Sequence, residues 1–141
     1  MERIELHADD SYMIQLDGFV RAICESNHIY NYYATIWVSI AEAVNDALFF
    51  EDNGNESRRV DVTFDYCSQG VLFSVRGVEG CFNKYDDSLI RVLADKAEVS
   101  DSASTLLLTF AVRGIDFGEA ASRVSVLNHF YHPALTEVLH V

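Results

Sequence analysis

Apolar residues fall at two different periods along the chain, and the change of period marks the elements. "RIELHA" reads as a short first strand. After it, Asp9, Asp10 and Ser11 offer N-cap candidates for "YMIQLDGFVRAICESN", where Met13, Leu16, Phe19, Val20 and Ile23 recur at helical spacing. Asn27 and His28 end that helix. A second helix is expected from Tyr30 to Phe50. At about 100° per residue, Ile36, Trp37, Ile40, Ala41, Val44, Ala47 and Leu48 share one face, and Glu42, Asn45 and Asp46 lie on the opposite side. The apolar residues on its outer side, Val38, Phe49 and Phe50, need a cover from the first helix or a C-terminal one.

The period then switches to two. "RRVDVTFDY" alternates Val60, Val62 and Phe64 against Asp61, Thr63 and Asp65, the pattern of a half-buried strand. "CSQG" is its turn and "VLFSVRG" the returning strand. A helix "DDSLIRVLADKA", a short strand "EVS", the turn "DSAS" and a strand "TLLLTFAV" follow. The tail from Asp116 to His132 reads as a C-terminal helix stopped at Pro133. Grouped helices and hairpin-paired strands predict an α+β two-layer sandwich: a mixed, mostly antiparallel sheet with helices on one face. The expected division is one domain over residues 1–113 and a helical extension over 114–141 packed on it.

Composition narrows the function classes. The chain has 141 residues, 22 of them acidic and 10 basic, for a formal charge of −12. That balance disfavours nucleic acid and suits a basic protein partner. The one basic pair, Arg58-Arg59, sits near Glu51 and Glu56. The three cysteines, Cys24, Cys67 and Cys81, have no CxxC spacing and fit reduced thiols. No leader pattern follows "MERIELHADD", and no stretch approaches the roughly 20 apolar residues of a membrane span. The expectation is a cytoplasmic protein that contacts neither membrane nor nucleic acid. His129 and His132 stand three apart, but sequence places no further zinc ligands, so they read as a surface pair. No G-x-S-x-G marks a serine nucleophile.

Four stretches in this order, "IWVSIAEAVNDAL", "RRVDVTFDYCSQGVLFSV", "LIRVLADKAEV" and "STLLLTF", resemble the GHKL (Bergerat-fold) ATPases, in the branch of bacterial anti-sigma-factor serine kinases. The resemblance spans about Ile4 to Val112. It implies that Glu42 occupies the position of the Glu that positions the water or phosphoacceptor. Asp46 takes the place of the magnesium-holding Asn, with Asn45 one residue early. An Asp suits Mg²⁺, a hard cation. The plain alternative is that Glu42 and Asp46 line a solvated face at i,i+4 spacing.

The departures from the family pattern fall on its glycine boxes. Where the family has D-x-G-x-G, this chain reads "VRGVEGCF". Gly77 replaces the adenine-recognising Asp, Glu79 and Cys81 replace the glycines, and the nearest remaining glycine is Gly80. Gly77 has no side chain to hydrogen-bond adenine, and Glu79 sets a carboxylate near a polyphosphate. The lid and the second glycine-rich turn are reduced to "NKYDDS". Asp86 and Asp87 there suit a helix N-terminus and repel phosphate. Phe49-Phe50 stand where smaller residues are usual and tend to fill the pocket.

The expected protein is therefore a regulator without ATP hydrolysis and without a bound cofactor. Glu42, Asn45, Asp46, Gly77 and Gly80 are remnants of the site. The resemblance implies a partner such as a sigma factor or an anti-anti-sigma-like regulator, and a homodimer. The alternatives are a serine kinase using Mg·ATP at Glu42 and Asp46, and a structural dimerisation domain.

Overall fold

The computed structural model describes residues 2–9, 11–50, 58–83 and 93–112. Strand β1 (Glu2–His7) leads into helix α1 (Tyr12–Ser26). A single 3-10 turn (Tyr30–Tyr32) precedes helix α2 (Tyr33–Leu48). Then come β2 (Arg59–Cys67), β3 (Gly70–Arg76), β4 (Lys96–Ser100) and β5 (Thr105–Ala111). The five strands form one sheet in the order β1-β2-β3-β5-β4. The α+β class holds among the described residues. Among the described residues the sheet is not mixed, however: all four strand pairings there are antiparallel.

The alternation in β2 builds the core as the pattern predicts, and β3 and β5 extend it. Val60, Val62 and Phe64 of β2, Val71, Phe73 and Val75 of β3, and Leu106, Leu108 and Phe110 of β5 are all buried. Their registers place Phe64 beside Phe73 and Phe73 beside Leu108. Phe73 sits at the centre, with ring centroids 5.3 Å from Phe64 and 6.1 Å from Phe110. α1 packs on β1, and α2 packs on β2, β3 and α1. The other face carries polar pairs: Arg3 meets Asp61 at 2.9 Å, Arg59 meets Glu5 at 2.8 Å, and Thr63 bonds Ser74.

Helix α1 starts and stops where expected, and local contacts fix both ends. Ser11 is the N-cap of α1, but its side chain makes no capping bond. Asp9 Oδ1 accepts from Ser11 N–H at 2.8 Å and from Ser11 Oγ at 2.7 Å, so the aspartate fixes the approach to the helix. Asn27 closes α1 by donating its side-chain amide to the Ile23 carbonyl at 2.8 Å. His28 then takes a positive φ of 56°, and this reversal separates the 3-10 turn from α1.

Helix α2 is less amphipathic than its wheel suggests. Its first half is buried nearly all round, with Tyr33, Ala34, Thr35, Ile36, Val38, Ser39 and Ile40 all enclosed. Val38 therefore needs no further cover, while Trp37 and Ala41, expected on the core face, are only half-buried. A helix flanked by a sheet and a second helix is enclosed on more than one side.

The expected third helix runs too far. Lys96 and Ala97 belong to β4, because Lys96 pairs with Thr109 and Ala97 with Leu108. Asp95 sets this start: its N–H donates to the Thr109 carbonyl at 2.9 Å, and its Oδ2 accepts from Ala111 N–H at 2.7 Å. Leu93 and Ala94 are buried just before it. Asp10, Asp86, Asp87, most of that helix, and the C-terminal extension with Asp116–His132, His129 and His132 lie outside the described residues. No helix among the described residues is long and apolar enough to cross a membrane.

Candidate functional site

The candidate residues converge at one end of the sheet, where α2 finishes and the chain leaves β3. Glu42 is half-buried, and Asn45 and Asp46 are exposed on the last turns of α2. Asn45 is engaged by α1: its Oδ1 accepts from the Tyr12 hydroxyl at 3.3 Å. The Tyr12 ring meets Phe49 edge-on, with centroids 6.0 Å apart. Phe49 is 57% exposed and Met13, beside Tyr12, is 39% exposed. Phe50 is half-buried, so of the two phenylalanines expected to fill the pocket, Phe49 points mostly into solvent.

The segment after β3 is bonded onto the β4–β5 turn. Gly77 N–H donates to the Ser104 carbonyl at 2.9 Å, Gly80 N–H to that of Ser102 at 3.0 Å, and Phe82 N–H to that of Ala103 at 2.9 Å. Gly80 adopts φ +83°, which permits its tight turn. The receiving turn is itself unusual: Asp101, Ser102 and Ala103 all take positive φ, between 52° and 59°. None is glycine, so this turn stores backbone strain that the hydrogen bonds from residues 77–82 help to hold. Glu79 lies on an open groove with Val78, Gly80, Asn83, Ser102 and Ala103.

Gly77 also closes the space between this segment and α2. A Cβ at Gly77 would lie 3.0 Å from Cys81 Sγ and 3.1 Å from Ala47 Cβ. Any side-chain atom at position 77 would therefore crowd Ala47 and Cys81. Cys81 is buried there, with Sγ donating weakly to the Ser104 carbonyl at 3.8 Å. Phe82 is buried beside it in the same core.

Arg58 completes this end, and sequence reasoning passed over it as half of a basic pair. It is 8% exposed, its Nη1 reaches the Leu48 carbonyl at 3.5 Å, and its guanidinium lies 5.8 Å from the Phe50 ring centroid. A cation at a helix C-terminus complements the carbonyl end of the dipole. Its signal in the sequence was position: an arginine standing between the loop that follows a helix and the first residue of a strand.

The site has little acid–base or redox reactivity in its thiol. Burial pushes Cys81 up to about 11, although hydrogen bonds from the backbone and the nearby Arg58 charge oppose this. Cys24 in α1 is pushed up to about 12, again mainly by burial. Both thiols are therefore neutral and shielded at pH 8, whereas Cys67 is half-exposed. In the native protein a disulfide reagent at pH 8 should modify Cys67 rapidly and the other two only on unfolding. The linkage has a definite sign. Folded pKa values above the ordinary 9 stabilise the fold fully below pH 9, and that contribution is lost as pH rises toward 11 and 12. Fast labelling of all three thiols in the folded state would contradict this burial.

Among the described residues, no group of three or more His, Cys, Asp or Glu side chains is placed to hold a metal ion. Glu42 and Asp46 remain a pair one helical turn apart, and Mg²⁺ is often held by one or two carboxylates. Among the described residues, Gly77 offers a nucleotide no side chain. Gly77 offers a backbone already bonded to Ser104, and the gap beside it is closed by Ala47 and Cys81. No protein-family model matches the chain, and no curated protein matches it.

Proposed function

We propose that this chain is a GHKL-like domain that has lost its nucleotide site and acts as a regulator by binding another protein. Its partner would be a sigma factor or an anti-anti-sigma-like regulator, engaged in the cytoplasm, with the domain acting as a homodimer. The observation that carries the reading is the contact of Gly77 with Ala47 and Cys81. In the family that the sequence resembles, an Asp at this position recognises adenine. Here the position is a glycine, and a side chain on it would meet Ala47 and Cys81.

Two further features support a binding role. The charge of −12 favours a basic partner through electrostatic steering. The end of α2 presents Phe49 to solvent near the exposed Asp46, and Met13 in the first turn of α1 is exposed as well, which leaves apolar surface with an acidic neighbour.

Calorimetric titration with Mg·ATP and Mg·ADP tests the loss of the site, and neither should bind. Gly77→Asp, which restores the family's adenine-binding residue type, should also fail to confer binding. Its added side chain meets Cys81 and Ala47, and overpacking of this kind costs about 1–3 kcal/mol of stability. A saturable Mg·ATP signal that disappears in Glu42→Ala or Asp46→Ala would overturn the reading and favour a kinase with Glu42 as base and Asp46 on the metal.

A further inference from the structure

At the opposite end of the sheet, β2 carries an aromatic ring that the core does not use. Tyr66 follows Phe64 on the helix-bearing side of the strand, yet it is 64% exposed. The ring is held in place nonetheless. Its hydroxyl bonds Asn27 Oδ1 at the end of α1, and it forms a T-shaped pair with Phe64, with centroids 5.2 Å apart. A fixed, exposed aromatic plate binds with little further loss of side-chain freedom.

The surroundings of that plate are electronegative. Tyr66, Phe64, Asn27, Ser26, Glu2 and Asp65 line one open groove. Glu2 and Asp65 supply two carboxylates, and among the described residues neither forms an ion pair. Asp65 Oδ1 accepts the Tyr66 N–H at 2.8 Å, which holds it beside the ring's own backbone. α1 ends at the same place with no basic residue in its last turn, so no side chain of the helix offsets the partial negative charge of its C-terminus.

The geometry points to a docking groove for a basic segment of a partner protein, with an arginine side chain stacked on Tyr66. This rests on the reading of the chain as a partner-binding domain and gives that partner a chemistry. The guanidinium plane matches the ring face, and its N–H edges reach toward Glu2 and the end of α1. Charge complementarity selects this occupant: among the described residues the groove is lined by carboxylates and no cation, in a chain of charge −12. An anionic ligand meets repulsion here, and an ammonium group has no plane to stack.

The test is a titration of the ¹⁵N-labelled full chain at low salt, followed by NMR. The probes are three capped tripeptides, Gly-Arg-Gly, Gly-Lys-Gly and Gly-citrulline-Gly. The arginine peptide should give saturable millimolar binding with shifts at Glu2, Asn27 and Tyr66. Lysine should bind more weakly, and citrulline should give no saturable shift. Tyr66→Leu should weaken arginine binding about fivefold, the worth of an exposed cation–π contact. Glu2→Gln should weaken it too, at an exposed position that leaves the core intact even if the tyrosine variant misfolds. No saturable shift, equal response to citrulline or lysine, or unchanged binding in Glu2→Gln would overturn the proposal. Absence of peptide binding with no Mg·ATP binding removes only the groove. Mg·ATP binding with the peptide response intact removes only the loss of the nucleotide site.

Discussion

Phe73→Ala should lower the unfolding free energy by about 3–5 kcal/mol, the usual cost of deleting a fully buried phenylalanine. Phe73 is 0% exposed in the middle strand of the sheet, against Phe64 on β2 and Phe110 on β5. The cavity would open under α2, where the neighbouring strands are fixed on both sides and collapse is restricted. Domains of this size are typically stable by only about 5–15 kcal/mol, so the variant should unfold at a much lower urea concentration. Urea titration followed by circular dichroism measures it. A loss below about 1 kcal/mol would show that Phe73 does not anchor the core.

Gly70→Ala is expected to be comparably severe for a different reason. Gly70 starts β3 with φ +151°, and a Cβ there would fall 2.5 Å from the Phe110 carbonyl oxygen and 2.6 Å from the Val112 nitrogen. Both obstacles are backbone, so no rotamer change relieves them, and β5 would have to move away from β3. Backbone strain of about 1–3 kcal/mol and overpacking of about 1–3 kcal/mol together predict a loss of about 2–6 kcal/mol. Gly18 is the matched control. It lies inside α1 with nothing within 4 Å of an added Cβ, so Gly18→Ala should stabilise by about 0.5–1 kcal/mol. Equal effects at the two glycines would contradict the close approach of β3 and β5 at Gly70.

These two glycines show how legibility differs between positions. Gly70 was readable as a turn residue because "CSQG" separates two alternating runs. What the turn reading missed is that Gly70 is already paired, with Ala111 on its other side. That contact joins residues far apart in the chain, and no local pattern encodes it. Gly77 illustrates the same limit at the candidate site. Its lack of a side chain was visible in "VRGVEGCF", but its contact with Ala47 depends on how α2 settles on the sheet.

The helices divide along the same line. Asn45 and Asp46 were correctly placed on a polar face by their spacing, because a helix wheel fixes angles within one element. Val38 is expected on an outer side that needs a cover, and it is buried, but the wheel carries no information about which partner supplies the cover. Lys96 and Ala97 fit helix by local sequence, yet hydrogen bonds to Thr109 and its neighbours on β5 claim them for a strand. Tyr12 reached Asn45 only through the meeting of two helices. Tyr66 passed for an ordinary strand end until the short reach of α1 left its ring uncovered.

Periodicity and turn chemistry are local quantities, set by side-chain direction and backbone sterics within a few residues. By itself the sequence therefore determined the helix–strand order of the described part, the buried face of β2, and the absence of a side chain at Gly77. Packing between distant segments is settled by which surfaces fill the same space. Tertiary structure alone decided the all-antiparallel strand order, the burial of Arg58 and Cys81, the closing of Gly77 onto Ala47, and the exposure of Tyr66.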